Sequence, residues 1–366
     1  MAISETKWMK RALFLAAQKG RFASPNPRVG AVLVKGGKIV GEGAHERFGH
    51  AHAEINALKR AGSRAKGATL YVTLEPHAHQ GKTPPCTDAI IAAGVHEVIA
   101  AMKDPNPLVS GRGFARLKEA GILVRKGLLE KEARELNADF IFSLTHERPK
   151  VLLKVAASLD GKLATATGRS KWITGEKARR KNHELRSRVD AILIGSGTAL
   201  KDKPRLTVRL DGHGRSDGWP LKVLLDSRLR VSPKSPLFEV PQKTLVFCSS
   251  RATAAAERGL NRQGVLVFRV SARENRLSLR EVLGRLHQQG VRSLMVEGGA
   301  GVHGSFIDQR LADEVALFLS PKLFGGAAPG WIGGRGFSDP NHSPRLTQTR
   351  VEPLGEDYLI TGKVRY

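Results

Sequence analysis

The sequence predicts two consecutive α/β domains. Three observations carry this. Short apolar runs alternate with segments of helical period from end to end, and the pattern breaks and restarts at Arg148-Pro149. The chain's 366 residues also exceed what one hydrophobic core ordinarily serves.

In the first domain, residues 1–147, an amphipathic helix spans roughly 4–19. "VGAVLVKGGKIVGEG" reads as two strands turning at Gly36-Gly37, because adjacent glycines supply the backbone a tight hairpin needs. A helix begins near His52 and runs through "AEINALKRAG". The strand "ATLYVTLEP" leads into the loop "HAHQGKTPP" and the helix "CTDAIIAAGV". "EVIAAMKDPNP" is a strand entering a Pro-rich loop, followed by the helix "GFARLKEAGI", the strand "LVRKGL" and a last helix "EKEARELNADFIFSLTHE". This is a layered α/β sandwich of ordinary domain size.

In the second domain, residues 148–366, the apolar runs "KVLLKVAASLDG", "DAILIGSGTAL", "LKVLLDS", "KTLVFCSS", "GVLVFRV" and "SLMVEGG" are bounded by Gly, Asp or Ser. The helical segments "EKARRKNHELRSR", "LREVLGRLHQQG" and "GVHGSFIDQRLA" lie between them. Strands separated by helices predict a mostly parallel, doubly wound sheet. "DGHGRSDGWP" is a surface loop, and neither an internal repeat nor a low-complexity tract is present.

Two cysteines, Cys86 and Cys248, are too few for a disulfide framework and point to a reducing compartment. The first helix lacks the uninterrupted apolar core of a signal segment, and no stretch approaches a membrane span, so the expected location is the cytoplasm. The net charge of +26 invites a nucleic-acid reading, but the basic residues are spread along the chain and aromatics are 5% of it, which leaves few stacking platforms. A solvated basic surface, or a long-range pull on small anionic substrates, accounts for the charge equally well. Cys248, on an apolar strand, reads as a packing residue.

The densest chemistry lies around His52-Ala53-Glu54 and the later His77 and Cys86. Zinc deaminases hold the ion with a histidine and two thiolates, keep a fourth position open for water, and use a nearby Glu that moves protons without binding metal. Here His77 stands where such spacing ordinarily offers a cysteine. Imidazole is itself a good zinc donor, so a His, His, Cys set is chemically ordinary. Two other readings stand beside it: the changed reach and bulk abolish zinc binding, or His79 competes as ligand. The presence of His52, Glu54 and Cys86 together favours a retained zinc site, with His79 in a substrate loop or on the surface. His50 is read as a solvated loop residue.

In the second domain Gly299, Gly301 and Gly304 give G-x-G-x-x-G spacing between the strand "SLMVE" and a helix, where backbone N–H groups can meet a pyrophosphate. A tight strand-to-helix turn is the plainer reading. No acidic residue closes a strand about 20 residues on, so the pattern is not an NAD-type Rossmann unit.

Taken together, "SPNPRVGAVLV", "HAEINAL", "VTLEPHAHQGKTPPC", "DPNPLVSGRG", "VAASLDGKLATATGRSKWIT", "DAILIGSGTALKDKPRLTVR" and "VEGGAGVHGSF" resemble the bifunctional riboflavin-biosynthesis deaminase/reductase family. The likeness covers essentially the whole chain and follows that family's order. It implies a cytidine-deaminase-like α/β/α sandwich followed by a dihydrofolate-reductase-like α/β domain. The implied reactions are hydrolytic deamination of 2,5-diamino-6-(5-phosphoribosylamino)pyrimidin-4-one, then NADPH-dependent reduction of the ribosyl group to ribityl.

Residue by residue, the resemblance implies His52 and Cys86 as zinc ligands, Glu54 as proton shuttle, and Asn26, His45, Lys82 and Asn106 as deaminase substrate positions. For the reductase it implies Lys154, Ser170, Arg186, Leu206, Arg209 and Glu297 at the substrate. It implies Ala156, Trp172, Thr198, Asp202, Ser227 and the turn Gly299, Ala300, Gly301, Val302, His303, Gly304 and Ser305 at the cofactor. Arg186 and Arg209 suit a phosphate clamp, and Lys154, Asp202 and Glu297 suit proton handling. On pattern alone, Trp172 fits a core position as well as one beside a nicotinamide. The resemblance also implies a homo-oligomer joined through the reductase domain. Two alternatives are a reductase whose deaminase domain only scaffolds, because of His77, and a nucleic-acid base deaminase or RNA-binding protein.

Overall fold

The strand that organises the first half is β1 (Gly30–Lys35), buried until its last residue, as a central strand packed on both faces must be. In this computed structural model the described residues are 2–81, 83–107, 109–210, 220–239, 243–274 and 276–366. Lys82 and residues 211–219, most of the loop "DGHGRSDGWP", lie outside the described residues. The chain divides into two compact units, Met1–Glu147 and Arg148–Tyr366.

In the first unit α1 (Ala2–Lys19) precedes β1, and β1 turns through Gly36 and Gly37, at φ +55° and +70°, into antiparallel β2 (Lys38–Ala44). On its other side β1 pairs antiparallel with β3 (Thr69–Val72), and β4 (Glu97–Ala100) and β5 (Leu123–Lys126) continue in parallel, giving the order β2-β1-β3-β4-β5. Parallel strands end on one side, so the loops after β3 and β4 gather there.

The helix α2 (Ala53–Ala61) lies close on β2 because β2 is bare at two points. A Cβ at Gly41 would sit 2.3 Å from the Ala57 carbonyl oxygen, and one at Gly43 would sit 2.5 Å from that of Ala53. These glycines therefore set the height of the first turn of α2, and with it His52 and Glu54. The remaining helices are α3 (Cys86–Ala92), α4 (Arg112–Glu119), α5 (Glu130–Leu136) and α6 (Ala138–His146).

The sequence predicts one helix where α5 and α6 stand. The break is at Asn137, whose side chain accepts the Arg28 N–H at 2.8 Å and donates to the Arg28 carbonyl at 3.0 Å. A side chain committed to a distant backbone competes with helical hydrogen bonding, and Asn137 takes φ −108°.

The second unit begins with β6 (Lys150–Ser158), α7 (Glu176–Arg186), β7 (Ala191–Gly195), α8 (Ser196–Asp202), β8 (Leu221–Leu225), β9 (Thr244–Cys248), α9 (Ala254–Asn261) and β10 (Leu266–Arg269). A short ladder of β11 (Ala272–Arg273) and β12 (Arg276–Leu277) precedes α10 (Leu279–Gln288), β13 (Ser293–Val296), α11 (Ala300–Asp308) and β14 (Glu314–Ser320). The chain closes with β15 (Arg345–Leu354) and β16 (Asp357–Arg365).

The large sheet runs β10-β9-β8-β7-β13-β6-β14-β16-β15, parallel from β10 to β14 and antiparallel through the last two strands. Successive residues alternate between its two faces. Leu193, Val223, Leu245 and Phe247 enter one core, while Ile192, Leu224, Val246 and Cys248 enter the other. Cys248 is fully buried in that packing.

The sequence pattern does not announce β15 and β16. "RLTQTRVEPL" is exposed along most of its length, so it lacks the apolar alternation that marks a half-buried strand. Trp172, which pattern alone leaves open between core and surface, is 61% exposed.

Replacing Gly43 with alanine forces α2 away from β2. The expected loss is about 1–3 kcal/mol, the usual range for overpacking, and a urea titration of the two proteins measures it.

Candidate active sites

Two helix starts bring the first cluster together. His52 is the residue that precedes α2 and Cys86 opens α3, so both stand at helix N-termini, where unpaired backbone N–H groups favour negative charge. His77 reaches them from the loop after β3. One ligand atom from each of His52, His77 and Cys86 lies within 4.8 Å of the others, and among the described residues these form the one such group of three. His52 Nδ1 is 3.4 Å from Cys86 Sγ, and its Nε2 is 3.4 Å from Thr83 Oγ1.

The backbone of Thr83 and Pro84 lies beside the His77 ring and opposes the lowering of its pKa. Burial, then the neighbouring histidines, lowers His52 to about 4, and burial and His79 lower His77. Both rings are therefore neutral and keep a lone pair. Burial, then the nearby Glu54 charge, pushes the Cys86 thiol well above its ordinary value, a balance that a cation among these donors reverses. Two imidazoles and a thiol at this spacing are a zinc donor set. Exposed His79 meets the His77 ring edge-on, with ring centroids 5.2 Å apart, and lies outside the set; His50 is exposed in its loop.

The cluster lies at a cavity of about 320 Å³ that Asn26, His45, Glu54, Asp104 and Asn106 also line. Glu54 is 4% exposed; burial pushes it up to about 7 against a hydrogen bond with Cys86. His45 Nδ1 is 3.2 Å from the Ala51 carbonyl, so that nitrogen carries the proton and Nε2 accepts from the Asn26 amide at 3.2 Å.

Sequence reasoning missed Glu75 and Asp104. Glu75, buried, accepts four backbone N–H groups: Asp104 at 3.1 Å, Gly111 at 2.9 Å, Gly113 at 3.0 Å and Phe114 at 3.3 Å. A Cβ at Gly113 would lie 1.8 Å from the Pro76 carbonyl oxygen, so only glycine lets this loop close on the strand end. The Asp104 carboxylate accepts the Asn106 N–H at 2.8 Å, and burial followed by the Glu75 charge pushes its pKa up to about 6. A Glu that closes the apolar strand directly before Pro76-His77 was the available signal.

The second unit holds a cleft of about 1360 Å³. All six predicted substrate positions, Lys154, Ser170, Arg186, Leu206, Arg209 and Glu297, line it. So do Ala156, Trp172, Thr198, Asp202, Gly299 and His303 from the cofactor set. Arg186, read from the sequence as half of an anion clamp, is engaged within the protein in this structure. Its Nε and Nη2 grip both Glu297 oxygens at 2.6 and 2.8 Å, and Nη1 donates to the Thr207 carbonyl at 2.9 Å. Lys154 Nζ is 3.7 Å from the same carboxylate. Burial alone would raise Glu297, but the charges of Arg186 and Lys154 outweigh it and hold the group at about 2.

The other cofactor positions, Ser227, Ala300, Gly301, Val302, Gly304 and Ser305, do not line the cleft. Ser227 accepts at its carbonyl from the Ser249 N–H and hydroxyl. Of the turn's glycines only Gly304 is fixed by packing, where a Cβ would lie 2.1 Å from the Gly333 carbonyl oxygen, as one on the preceding Gly298 would strike Val302; Gly299 and Gly301 have room for a Cβ. Ser305 Oγ donates back to Gly301 within α11.

A thiol–imidazole cluster beside a buried carboxylate on one α/β sheet, and a cofactor-sized cleft at a mostly parallel sheet on the other, define a two-domain enzyme with a deaminase domain and a reductase domain. The family models agree. Residues 3–102 match the cytidine and deoxycytidylate deaminase zinc-binding region, and residues 149–360 match the RibD C-terminal domain. The chain is 43% identical over 359 residues to the riboflavin biosynthesis protein RibD of Aquifex aeolicus, covering 98% of each, and 41% identical to that of Escherichia coli, covering 96% of this chain and 97% of the other.

Acinetobacter baumannii RibD superposes with a TM-score of 0.91 at 35% identity over 100% of both chains. A diaminohydroxyphosphoribosylaminopyrimidine deaminase/5-amino-6-(5-phosphoribosylamino)uracil reductase from Thermotoga maritima superposes at 0.85, with 39% identity over 99% of each. The chain belongs to the RibD family of bifunctional riboflavin-biosynthesis enzymes, with a cytidine-deaminase-like domain followed by a dihydrofolate-reductase-like one. No helix among its described residues is long and apolar enough to cross a membrane.

The Glu297 cluster gives a pH-dependent prediction. Glu297→Gln leaves Arg186 and Lys154 buried without their anion, at an expected cost of about 3–5 kcal/mol near neutral pH. Because Glu297 is depressed, to about 2, its stabilisation is present above the unfolded carboxylate pKa and is lost as pH falls through the folded one. Denaturation at a series of pH values should show the gap between wild type and variant narrowing from about pH 4 down to about 2.

Proposed function

We propose that the first unit hydrolytically deaminates 2,5-diamino-6-(5-phosphoribosylamino)pyrimidin-4-one, and that the second reduces the ribosyl side chain of the resulting uracil to ribityl with NADPH. The observation that carries the reading is the convergence of His52, His77 and Cys86 within 4.8 Å beside buried Glu54. These three residues would hold one zinc ion through two neutral imidazoles and a thiolate. Zinc, when bound, supplies a Lewis acid that makes water nucleophilic near neutral pH.

The chain's own groups do the rest. Glu54 takes the proton of the attacking water and returns it to the leaving amino nitrogen, which departs as ammonia. Asn26 and His45, linked to each other, and Asn106, fixed through Asp104 and Glu75, orient the pyrimidine. Lys82 completes this set by resemblance.

In the second unit the cleft of about 1360 Å³ exceeds what one drug-sized ligand fills, on the order of 300–1,000 Å³, and so suits a dinucleotide beside a phosphorylated sugar. NADPH, when bound, supplies the hydride. Glu297, kept ionised by Arg186, holds the Lys154 ammonium in place, and Lys154 and Asp202 manage protons as the sugar's C1 is reduced. Arg209 meets the phosphate.

Metal analysis with paired assays tests this. The purified enzyme should hold one zinc per chain and release ammonia from the diaminopyrimidine. Glu54→Gln should keep the zinc and lower ammonia release by about 10²–10⁴-fold, while leaving NADPH oxidation by the uracil intermediate unchanged. His77→Ala should lose zinc and ammonia release together. A wild type without zinc that regains it only as His77→Cys would reduce the first unit to a scaffold for a reductase.

A further inference from the structure

The cleft of the second unit also contains a histidine outside every motif considered above. His183 lies on α7, three residues before Arg186, and is 8% exposed. Residues so spaced share a helix face, and this pair faces the segment 203–210. Arg186 Nη1 donates to the Thr207 carbonyl at 2.9 Å, and the Arg209 N–H donates to His183 Nδ1 at 3.3 Å. Two side chains of one helix thus hold a carbonyl and an amide two residues apart, much as a neighbouring strand would. The segment calls for such support, because Lys203 and Leu206 carry φ of +45° and +51°. That left-handed region costs a residue with a side chain about 1–2 kcal/mol.

His183 meets the same arginine a second time, with Nε2 3.3 Å from Arg209 Nε. Burial, then the charges of Arg186 and Arg209, lowers the ring to about 4, so it is neutral. A neutral imidazole has one lone pair and one N–H. It therefore accepts from the Arg209 amide or from its guanidinium, never from both at once. The Nη atoms of Arg209 make no hydrogen bond to another described residue. Arg186, by contrast, has its fork committed to Glu297. Arg209 is exposed at the cleft, with its Nη donors turned to no other described residue.

We infer that His183 is a positioning residue of the reductase cleft. It fixes the Thr207–Arg209 backbone and aims the Arg209 guanidinium at an anionic group of the substrate, a phosphate monoester. In the free enzyme the ring's lone pair passes between the Arg209 amide and the Arg209 guanidinium, and an incoming phosphate, by drawing the guanidinium away, leaves it to the amide, so binding tightens the segment that made it. The substrate half of this inference rests on the reductase function proposed above. The backbone half does not.

Two measurements on the full-length enzyme separate them. Hydrogen exchange across residues 205–210 needs no substrate, and His183→Leu should speed exchange of the Arg209 amide about tenfold. In steady-state kinetics the same variant should raise KM for 5-amino-6-(5-phosphoribosylamino)uracil about tenfold, with KM for NADPH and kcat changed less than about threefold. His183→Asn, which keeps an acceptor near Nδ1, should restore most of both losses. Should the leucine variant not fold, His183→Gln takes its place with the same expected direction. Unchanged exchange, or equal rises in both KM values, overturns the inference. A wild type that reduces nothing sinks the reductase function, and the exchange comparison then still decides whether His183 holds the segment.

Discussion

Glu75 and Glu297 are carboxylates that a protein interior does not tolerate alone, since an unpaired buried charge costs several kcal/mol or more. Each lies just past the carboxyl end of a parallel strand, Glu75 after β3 and Glu297 directly after β13. The interior admits Glu75 because four backbone N–H groups of the 104–114 segment converge on it. It admits Glu297 because Arg186 grips both oxygens and Lys154 stands beside them. Satisfying each anion obliges a separate stretch of chain to adopt one position, and those stretches carry the residues that face the ligand. The loop with Asp104 and Asn106 is placed in this way, as is the segment with Leu206 and Arg209 through the third arm of Arg186.

Both sites therefore separate the groups that fix geometry from those that face substrate. In the deaminase half, glycines at 41 and 43 set the depth of α2, and Glu75 sets the loop. In the metal site proposed here, a neutral ring in place of a thiolate leaves the set more positive by one unit charge. That change favours, rather than opposes, acidification of a bound water.

Local features were legible in the sequence because local rules decide them. The Gly36-Gly37 hairpin, the alternation of strands and helices, and the helix starts at His52 and Cys86 need no partner beyond neighbouring residues. The break at Asn137 depends on the backbone of Arg28, and no pattern in residues 130–147 reveals that partner. β15 was missed because its mostly exposed residues lack apolar alternation, and β16 because half-buried polar residues such as Thr361 interrupt its apolar ones. The pairing of Arg186 with Glu297, 111 residues away, was likewise beyond any local pattern. The glycine turn reads as a phosphate loop because close packing and close ligand approach both require glycine; packing accounts for Gly304, and leaves Gly299 and Gly301 free of that constraint. His183 carried no signal beyond lying one turn from Arg186 on a helix face.

The claim on which the deaminase account turns is that His77 stands in the metal's first shell with His52 and Cys86. X-ray absorption at the zinc edge of the purified enzyme reads this directly. The account predicts one sulfur neighbour at about 2.3 Å and two imidazole nitrogens at about 2.0–2.1 Å, with a lighter fourth ligand. A single imidazole beside the one sulfur, or the absence of zinc from freshly purified protein, would contradict it.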